Sequence, residues 1–283
     1  MQRKVVVMSD RACDLSSELI KEYNIQLIPF YITINKKGYV GDVEITPTKI
    51  FEIFKKTGDL PKTAIMSVGE YIDFFKQWID NGYDVVHISI GSKLSGAHQN
   101  ALMAQNEIGD HLYIVDSKNM STGMGLLVLE AAQRAQNGMI AEQIANEVRA
   151  LIDQVRTSFI LEDLKFLKAG GRCSAATAFG ANLLMIKPSI AVHDGVMGID
   201  KKYRGHWEKV ILQYSRDTLD VYHDIKKDRV FITHSGVPQE ISDSVFKFIK
   251  SKRIFNEIFV TNTGSTTSSH AGPNVIGVVF MAK

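Results

Sequence analysis

The chain has 283 residues, of which 45% are hydrophobic and 23% charged, with a formal net charge of +2. This length exceeds what a single hydrophobic core usually organises, so two packed lobes are expected. Charges of both signs are interspersed without a block of like charge, which argues against a nucleic-acid-binding protein.

The first half of the chain alternates short β-branched runs with helical periodicity. Strands are predicted at residues 4–8, 25–34, 84–90 and 112–115, the second of them broken by Pro29. Helices are predicted at residues 16–23, 47–56, 71–80, 94–107, 122–135 and 141–155. The run 84–90 carries valine and isoleucine on both parities, as strands covered on both faces do. The pattern predicts an α/β lobe with a mostly parallel sheet over residues 1–157.

The second half mixes hairpin signals with helices. Extended segments are predicted at residues 158–161, 186–192, 196–203, 230–233, 257–260 and 277–281. Helices are predicted at residues 164–168, 175–184, 210–225 and 239–249. The turn His193-Asp194-Gly195 between two extended runs is typical of a β-hairpin. We therefore expect an α+β lobe with an antiparallel or mixed sheet over residues 158–283.

Polar loops follow three of the predicted parallel strands, where ligands bind in open sheets. They contain Ser9 and Asp10, the segment 91–96, and Asp116 with Ser117. The segment 91–96 brings hydroxyl groups and free backbone N–H groups to the start of a helix, which favours an anion such as a carboxylate. The alternative is that Ser92 or Ser95 only caps that helix.

The cysteines and the first residues bear on the compartment. Cys13 and Cys173 have no CxxC partner and no histidine at ligand spacing, so neither a disulfide framework nor a zinc site is indicated. The apolar run near residue 5 is too short for a signal peptide, and no apolar stretch reaches the roughly 18 residues of a membrane span. We expect a cytoplasmic protein with no membrane span, metal or cofactor.

Seven groups of short motifs occur together in a fixed order. They are Ser9-Asp10 with Cys13-Asp14-Leu15, the segment 88–96, Val115-Asp116-Ser117, the segment 170–174, Ile186-Lys187-Pro188, Asp194-Gly195 with Arg204-Gly205, and the segment 270–273. In this order, over nearly the whole chain, they resemble the DegV family. The resemblance implies two lobes that enclose one long-chain fatty acid. It also implies a partner kinase that converts the presented carboxylate into an acyl phosphate, so that the chain is a lipid-binding carrier without catalytic activity of its own.

The resemblance assigns the head-group ligands to Thr63, Ser95 with Gly96, and His270. Two hydroxyl donors and an imidazole N–H can together neutralise a buried carboxylate. The segment Ala64-Ile65-Met66 departs from the Ser-x-Pro sequence that follows this threonine in many relatives. It leaves Thr63 usable but changes the residues that shape the head end of the pocket.

The resemblance also assigns phosphate or kinase contact to Arg172 and Arg204. Arg172 follows a glycine pair, which is also ordinary loop punctuation, so a solvated charge is the alternative. The methionines Met120, Met124, Met185 and Met197 are either core residues or part of an acyl tunnel, because methionine adapts to irregular apolar shapes.

Other functions are also compatible with this chain. A lipid-responsive sensor or scaffold would need the same pocket. An acyl hydrolase would use Ser95 as the nucleophile, although no G-x-S-x-G surrounds it. A phosphotransferase acting alone would need a nucleotide loop, and nothing in the chain matches G-x-x-x-x-G-K-[ST].

Overall fold

The computed structural model describes residues 3–177 and 186–283. The strands are β1 (Lys4–Asp10), β2 (Gln26–Ile28), β3 (Tyr31–Ile34), β4 (Lys37–Val40), β5 (Lys62–Ala64), β6 (Tyr83–Ser89), β7 (Leu112–Asp116), β8 (Val155–Leu161), β9 (Ile186–His193), β10 (Val196–Arg204), β11 (Ile225–Ser235), β12 (Glu257–Asn262) and β13 (Val275–Ala282). The helices are α1 (Ser17–Glu22), α2 (Pro47–Thr57), α3 (Val68–Ile79), α4 (Ala97–Ile108), α5 (Ser121–Gln136), α6 (Ala141–Leu151), α7 (Lys165–Gly170), α8 (Ser174–Thr177), α9 (Trp207–Asp220), α10 (Gln239–Lys252) and α11 (Ser265–Ala271).

A four-stranded parallel sheet in the order β2-β1-β6-β7 organises the first half. Helices α3 and α4 pack together against it, as do α5 and α6. The central strands are buried through their carboxyl-terminal halves, which explains why valine and isoleucine occupy both parities. The predicted α/β lobe with a parallel sheet is confirmed.

A six-stranded mixed sheet in the order β10-β9-β8-β13-β11-β12 organises the second half. Its neighbours are antiparallel except for the parallel pair β11 and β12. The predicted hairpin joins β9 to β10, and Asp194 and Gly195 both have positive φ, at 48° and 77°. A two-residue type I′ turn requires that conformation at both positions. The predicted mixed sheet is therefore confirmed.

A small antiparallel sheet in the order β4-β3-β5 was not predicted. The expected strand 25–34 is wrong as one element, because β2 pairs in the parallel sheet while β3 pairs with β4 and β5. Pro29 lies between the two strands and cannot donate to a ladder. The small sheet and α2 enclose a separate core of Ile32, Ile34, Ile45 and Ile50.

Two predicted helices run too far. The helix expected at 141–155 ends at Leu151, and after a 3₁₀ turn Val155 begins β8 opposite Met281. The helix expected at 210–225 ends at Asp220, and Ile225 begins β11. In both cases strand pairing overrides helical periodicity. The proposed lobe boundary at residue 157 falls inside β8, and the predicted helix 175–184 lies mostly outside the described residues.

Helix α5 joins the two large sheets. Its buried side chains contact β1 and β6 on one side and β8 and β13 on the other. Phe231, Val279 and Met281 of the mixed sheet accordingly share one core with the parallel sheet. Within the described part of the chain, no helix has both the length and the apolar character that a bilayer crossing needs.

Candidate functional site

A cavity of about 340 Å³ opens where the small sheet, the segment after β6 and α11 meet. Its wall includes the four residues assigned to head-group binding, Thr63, Ser95, Gly96 and His270, together with Arg172. The remaining lining residues are mostly apolar, namely Ala12, Phe30, Ala64, Ile65, Ile90, Leu94, Met120, Met197, Thr266 and Thr267. The cavity therefore combines a few polar groups with a mostly apolar wall.

Thr63 and His270 form a hydrogen-bonded pair on this wall. Thr63 Oγ1 lies 2.9 Å from His270 Nε2, although the two residues are 207 positions apart in the chain. Thr63 is on the edge strand β5, and His270 is in the last turn of α11. Contact between α11 and β5 thus creates the pair.

The imidazole of His270 is neutral near pH 7. Burial lowers its pKa to about 4, and the positive charge of Arg172 adds to this effect. Nδ1 has no hydrogen-bond partner within residues 3–177 and 186–283 and faces Gly170, where a Cβ would lie only 2.5 Å from it. We therefore place the proton on Nε2, where it can be donated to Thr63 Oγ1. The Thr63 hydroxyl then keeps its own proton for a ligand.

Ser95 lines the cavity and also contacts the start of α4, directly before its N-cap Gly96. Its Oγ accepts a hydrogen bond of 3.2 Å from the N–H of Ala97, the first residue of α4. This contact uses an oxygen lone pair, so the hydroxyl proton stays available to an anion in the cavity. The N-cap position of α4 is Gly96, and the backbone N–H of Ser92 donates to Asp116 Oδ1 at 3.1 Å.

The departing segment 64–66 shapes this end of the cavity. Ala64 and Ile65 line it, and a Cβ added at Gly96 would lie 3.3 Å from Ile65 Cδ1. Met66 is buried in the core, and its carbonyl accepts a hydrogen bond of 2.7 Å from Asn100. The bare backbone of Gly96 therefore accommodates the isoleucine beside Thr63.

A smaller chamber of about 40 Å³ lies deeper in the molecule. It shares Met120, Met197, Thr267 and His270 with the larger cavity. Its other apolar walls are Phe159, Leu167, Ala271, Val275 and Val279. Of the four methionines, Met120 and Met197 line both spaces, Met124 is a core residue and Met185 lies outside the described residues.

Both the sequence and the fold are similar to those of known proteins. A family model described as "Uncharacterised protein, DegV family" matches residues 4–283. The chain belongs to the DegV family. A DegV domain-containing protein of Clostridium perfringens is 28% identical over 281 residues, which cover 98% of each chain. The predicted family membership is confirmed.

Solved structures give the same result for the fold. A fatty-acid-binding DegV family protein from Thermus thermophilus is 26% identical over 99% of this chain and 100% of its own, with a TM-score of 0.88. A stearic-acid-binding protein from Eubacterium ventriosum is 25% identical over 100% of this chain and 99% of its own, with a TM-score of 0.85. The two-lobe DegV fold is thereby established for this chain.

The structure separates the two arginines assigned to partner contact. Arg172 is exposed at the rim of the cavity, and its Nη1 donates to the carbonyl of Gly170 at 2.5 Å. Arg204 is exposed at the last position of β10. It is about 23 Å along that strand from Met197, which lines the cavity. Of the two arginines assigned to partner contact in this DegV-family protein, Arg172 lines the cavity and Arg204 does not.

Sequence reasoning missed the helix that carries His270. The segment Ser265–Ala271 is rich in serine and threonine, which have low helix propensity, and has no apolar period. Two acidic residues from the other half of the chain hold its start. Asp14 accepts from Gly264 N at 2.8 Å, and Asp42 accepts from Ser265 N at 2.7 Å. Asp14 belongs to a motif that the sequence singled out, but nothing in the sequence connects it to residue 264.

Asp14 should make the stability of this protein depend on pH. Burial raises its pKa to about 7, despite hydrogen bonds from Ser121, Gly264 and Thr267. The pKa of Asp14 in the folded protein lies above its ordinary value of 3.8. Its contribution to the free energy of unfolding is therefore fully present below pH 3.8 and is lost as the pH rises through about 7. The Asp14→Asn variant cannot ionise. Its free energy of unfolding should therefore rise relative to wild type between about pH 4 and pH 7, by roughly 1.4 kcal/mol per pH unit.

Chemical denaturation at a series of pH values measures this difference. Asp59→Asn, which removes an exposed carboxylate, controls for the change of net charge. Curves for Asp14→Asn and wild type that stay parallel over the whole range would show that Asp14 ionises as it does in the unfolded chain.

Proposed function

We propose that this chain binds one long-chain fatty acid and presents its carboxylate to a partner kinase for acyl phosphate formation. One observation carries the proposal: the Thr63–His270 pair and Ser95 lie on the wall of a cavity that adjoins a small, apolar chamber and shares four lining residues with it. A polar head and an apolar interior match the two ends of a fatty acid.

The head group would be held by hydrogen bonds rather than by a buried positive charge. The hydroxyls of Thr63 and Ser95 supply two donors, and neutral His270 orients Thr63 through Nε2. Burial of an unpaired carboxylate would be very unfavourable, so these donors decide where the head lies. Arg172 at the rim adds a favourable charge without entering the chamber.

The acyl chain would supply most of the affinity. Each buried CH₂ contributes about 0.8 kcal/mol before ordering costs. The relatives from Thermus thermophilus and Eubacterium ventriosum, which are named for binding of fatty acid and stearic acid, support the same ligand class for this chain.

A separate kinase accounts best for the chemistry. The chain contains no match to the phosphate-binding loop of nucleotide-dependent phosphotransferases. Arg172 stands where a newly formed acyl phosphate would carry its added charge, and an arginine fork binds such oxygens well. A lipid-responsive sensor or scaffold would use the same pocket but would not support turnover with a kinase.

The acyl hydrolase receives less support from the geometry. The imidazole of His270 is engaged with Thr63, and Ser95 Oγ accepts from the α4 backbone. Among the hydrogen bonds of residues 3–177 and 186–283, none joins Ser95 to a histidine or a carboxylate that could activate it.

Protein purified from bacteria should carry about one equivalent of a long-chain fatty acid. Burial of a chain of sixteen carbons contributes on the order of 10 kcal/mol of favourable free energy before ordering costs are subtracted. Organic extraction followed by mass spectrometry measures the ligand and its stoichiometry. The Leu94→Trp variant, which places an indole into the cavity wall, should carry much less lipid. Recovery of a nucleotide or a sugar, or of no lipid at all, contradicts the proposal.

A further inference from the structure

A second concave surface lies behind the inner chamber. This outer groove has a volume of about 420 Å³. It carries charged side chains of both signs, including Lys118, Arg156, Asp200 and Asp217. The groove opens because β9 leaves β8: the two strands pair only over Ser158–Ile160, while Val192 and His193 pair with β10 alone.

Only a thin partition separates the groove from the inner chamber. Thr157 and Ser158 of β8 line both spaces. Thr157 Oγ1 donates to Asn119 Oδ1 at 2.7 Å, and Ser158 Oγ lies 2.8 Å from the hydroxyl of Tyr214. The partition is therefore a pair of small side chains, each fixed by one hydrogen bond.

The Thr157–Asn119 half of the partition is closely packed. A Cβ added at Gly123 of α5 would overlap Thr157 Oγ1 and would lie 2.5 Å from Asn119 Oδ1. The backbone of Asn119 is fixed as well, because its N–H donates to Ser117 Oγ at 3.1 Å and its carbonyl accepts from Gly91 N at 2.8 Å. Movement of either side chain would break the 2.7 Å hydrogen bond between Thr157 and Asn119.

We infer that Thr157, held in place by Asn119, forms the end wall of the acyl site and sets the longest chain that it binds. This inference rests on the proposed fatty-acid function. A chamber of about 40 Å³ has room for about one or two methylene groups. An acyl chain that extends further than the chamber allows must either displace the wall or leave methylene groups outside the cavity at its mouth. Removal of the wall would connect the chamber to the outer groove and give the tail an exit.

The test uses delipidated full-length protein and the saturated fatty acids from myristate to lignocerate, with affinities measured by displacement of a fluorescent fatty acid. Wild type should bind palmitate or stearate best and behenate at least about tenfold more weakly. In Thr157→Ala, the affinity for behenate should approach the affinity for palmitate. Asn119→Ala removes the acceptor that holds Thr157 Oγ1 in place and should also extend the length limit, which keeps the test valid if one variant does not fold.

Two controls separate an opened wall from other changes. Thr157→Ser keeps the hydrogen bond to Asn119 Oδ1 and removes only one methyl group, so the length limit should shift by about one methylene at most. Thr233→Ala removes the same atoms as Thr157→Ala from a residue that lines the inner chamber but not the groove, so it should extend the limit by about one methylene at most.

The outcomes distinguish the two hypotheses. If wild type binds palmitate while Thr157→Ala and Asn119→Ala keep the wild-type length profile, the end wall lies elsewhere and this inference is overturned. If Thr233→Ala extends the limit as far as Thr157→Ala does, the groove has no role and the inference also fails. If wild type binds none of the fatty acids, the proposed function itself fails.

Discussion

Replacement of His270 with alanine is expected to weaken fatty-acid binding by about 1 to 3 kcal/mol, the usual penalty for an unsatisfied buried polar group. In this variant Thr63 Oγ1 loses the donor that lies 2.9 Å away, so its hydroxyl is no longer oriented toward the ligand. The loss should appear for every chain length, because it concerns the head group. Calorimetric titration of delipidated protein measures it.

His98→Ala provides a matched control for this variant. His98 is also a partly buried histidine paired with a hydroxyl, at 2.7 Å from Ser89 Oγ, but it does not line the cavity. It should bind fatty acid with wild-type affinity. Thr63→Val should resemble His270→Ala, and the double variant should lose less than the sum of the two, because the residues act as one unit. Wild-type affinity in His270→Ala would remove this residue from the head-group site.

The second large effect is expected in Arg172→Ala with the kinase present. Formation of acyl phosphate should fall by about tenfold or more, because the arginine fork at the mouth stabilises the added phosphate charge. Fatty-acid affinity should stay within roughly threefold of wild type, since an exposed charge contributes little to burial of the chain. Coupled measurement of acyl phosphate and of ADP release gives the rate.

Arg204→Ala serves as the comparison for Arg172→Ala. Arg204 is also exposed but stands at the far end of β10 from the cavity. If the partner contacts only the mouth, Arg204→Ala keeps full turnover. A loss confined to Arg204→Ala would move the docking surface to that end of the mixed sheet. Equal losses of binding and turnover in Arg172→Ala would make Arg172 a pocket residue.

Sequence patterns were most informative where the residues of a strand or turn themselves determine its conformation. The apolar residues on both parities of 84–90 follow from burial on both faces, and Asp194-Gly195 from the dihedral angles of a type I′ turn. Patterns failed where the cause is distant. The start of α11 is held by Asp14 and Asp42, and the small sheet depends on pairing between β3 and β5, with α2 between them in the chain.

The candidate site shows the same division. The segment 91–96 could be placed at the carboxyl end of a parallel strand from its sequence alone, since such strands end at one edge of the sheet. Spacing alone could not pair Thr63 with His270, and only the family resemblance suggested both. The end wall at Thr157, held in place by Asn119, was not foreseen, because it arises where two strands of the mixed sheet diverge.

The contacts that complete the site also fix when it can form during synthesis. Thr63 meets His270 across 207 residues, and Asp14 meets Gly264 across 250. Domains generally fold in order from the amino terminus as the ribosome releases them, so the parallel sheet can assemble well before α11 and β13 exist. Until then the future acyl chamber is an open apolar surface. Lipid loading must be among the last steps of maturation, and a bound fatty acid then stabilises only the finished fold.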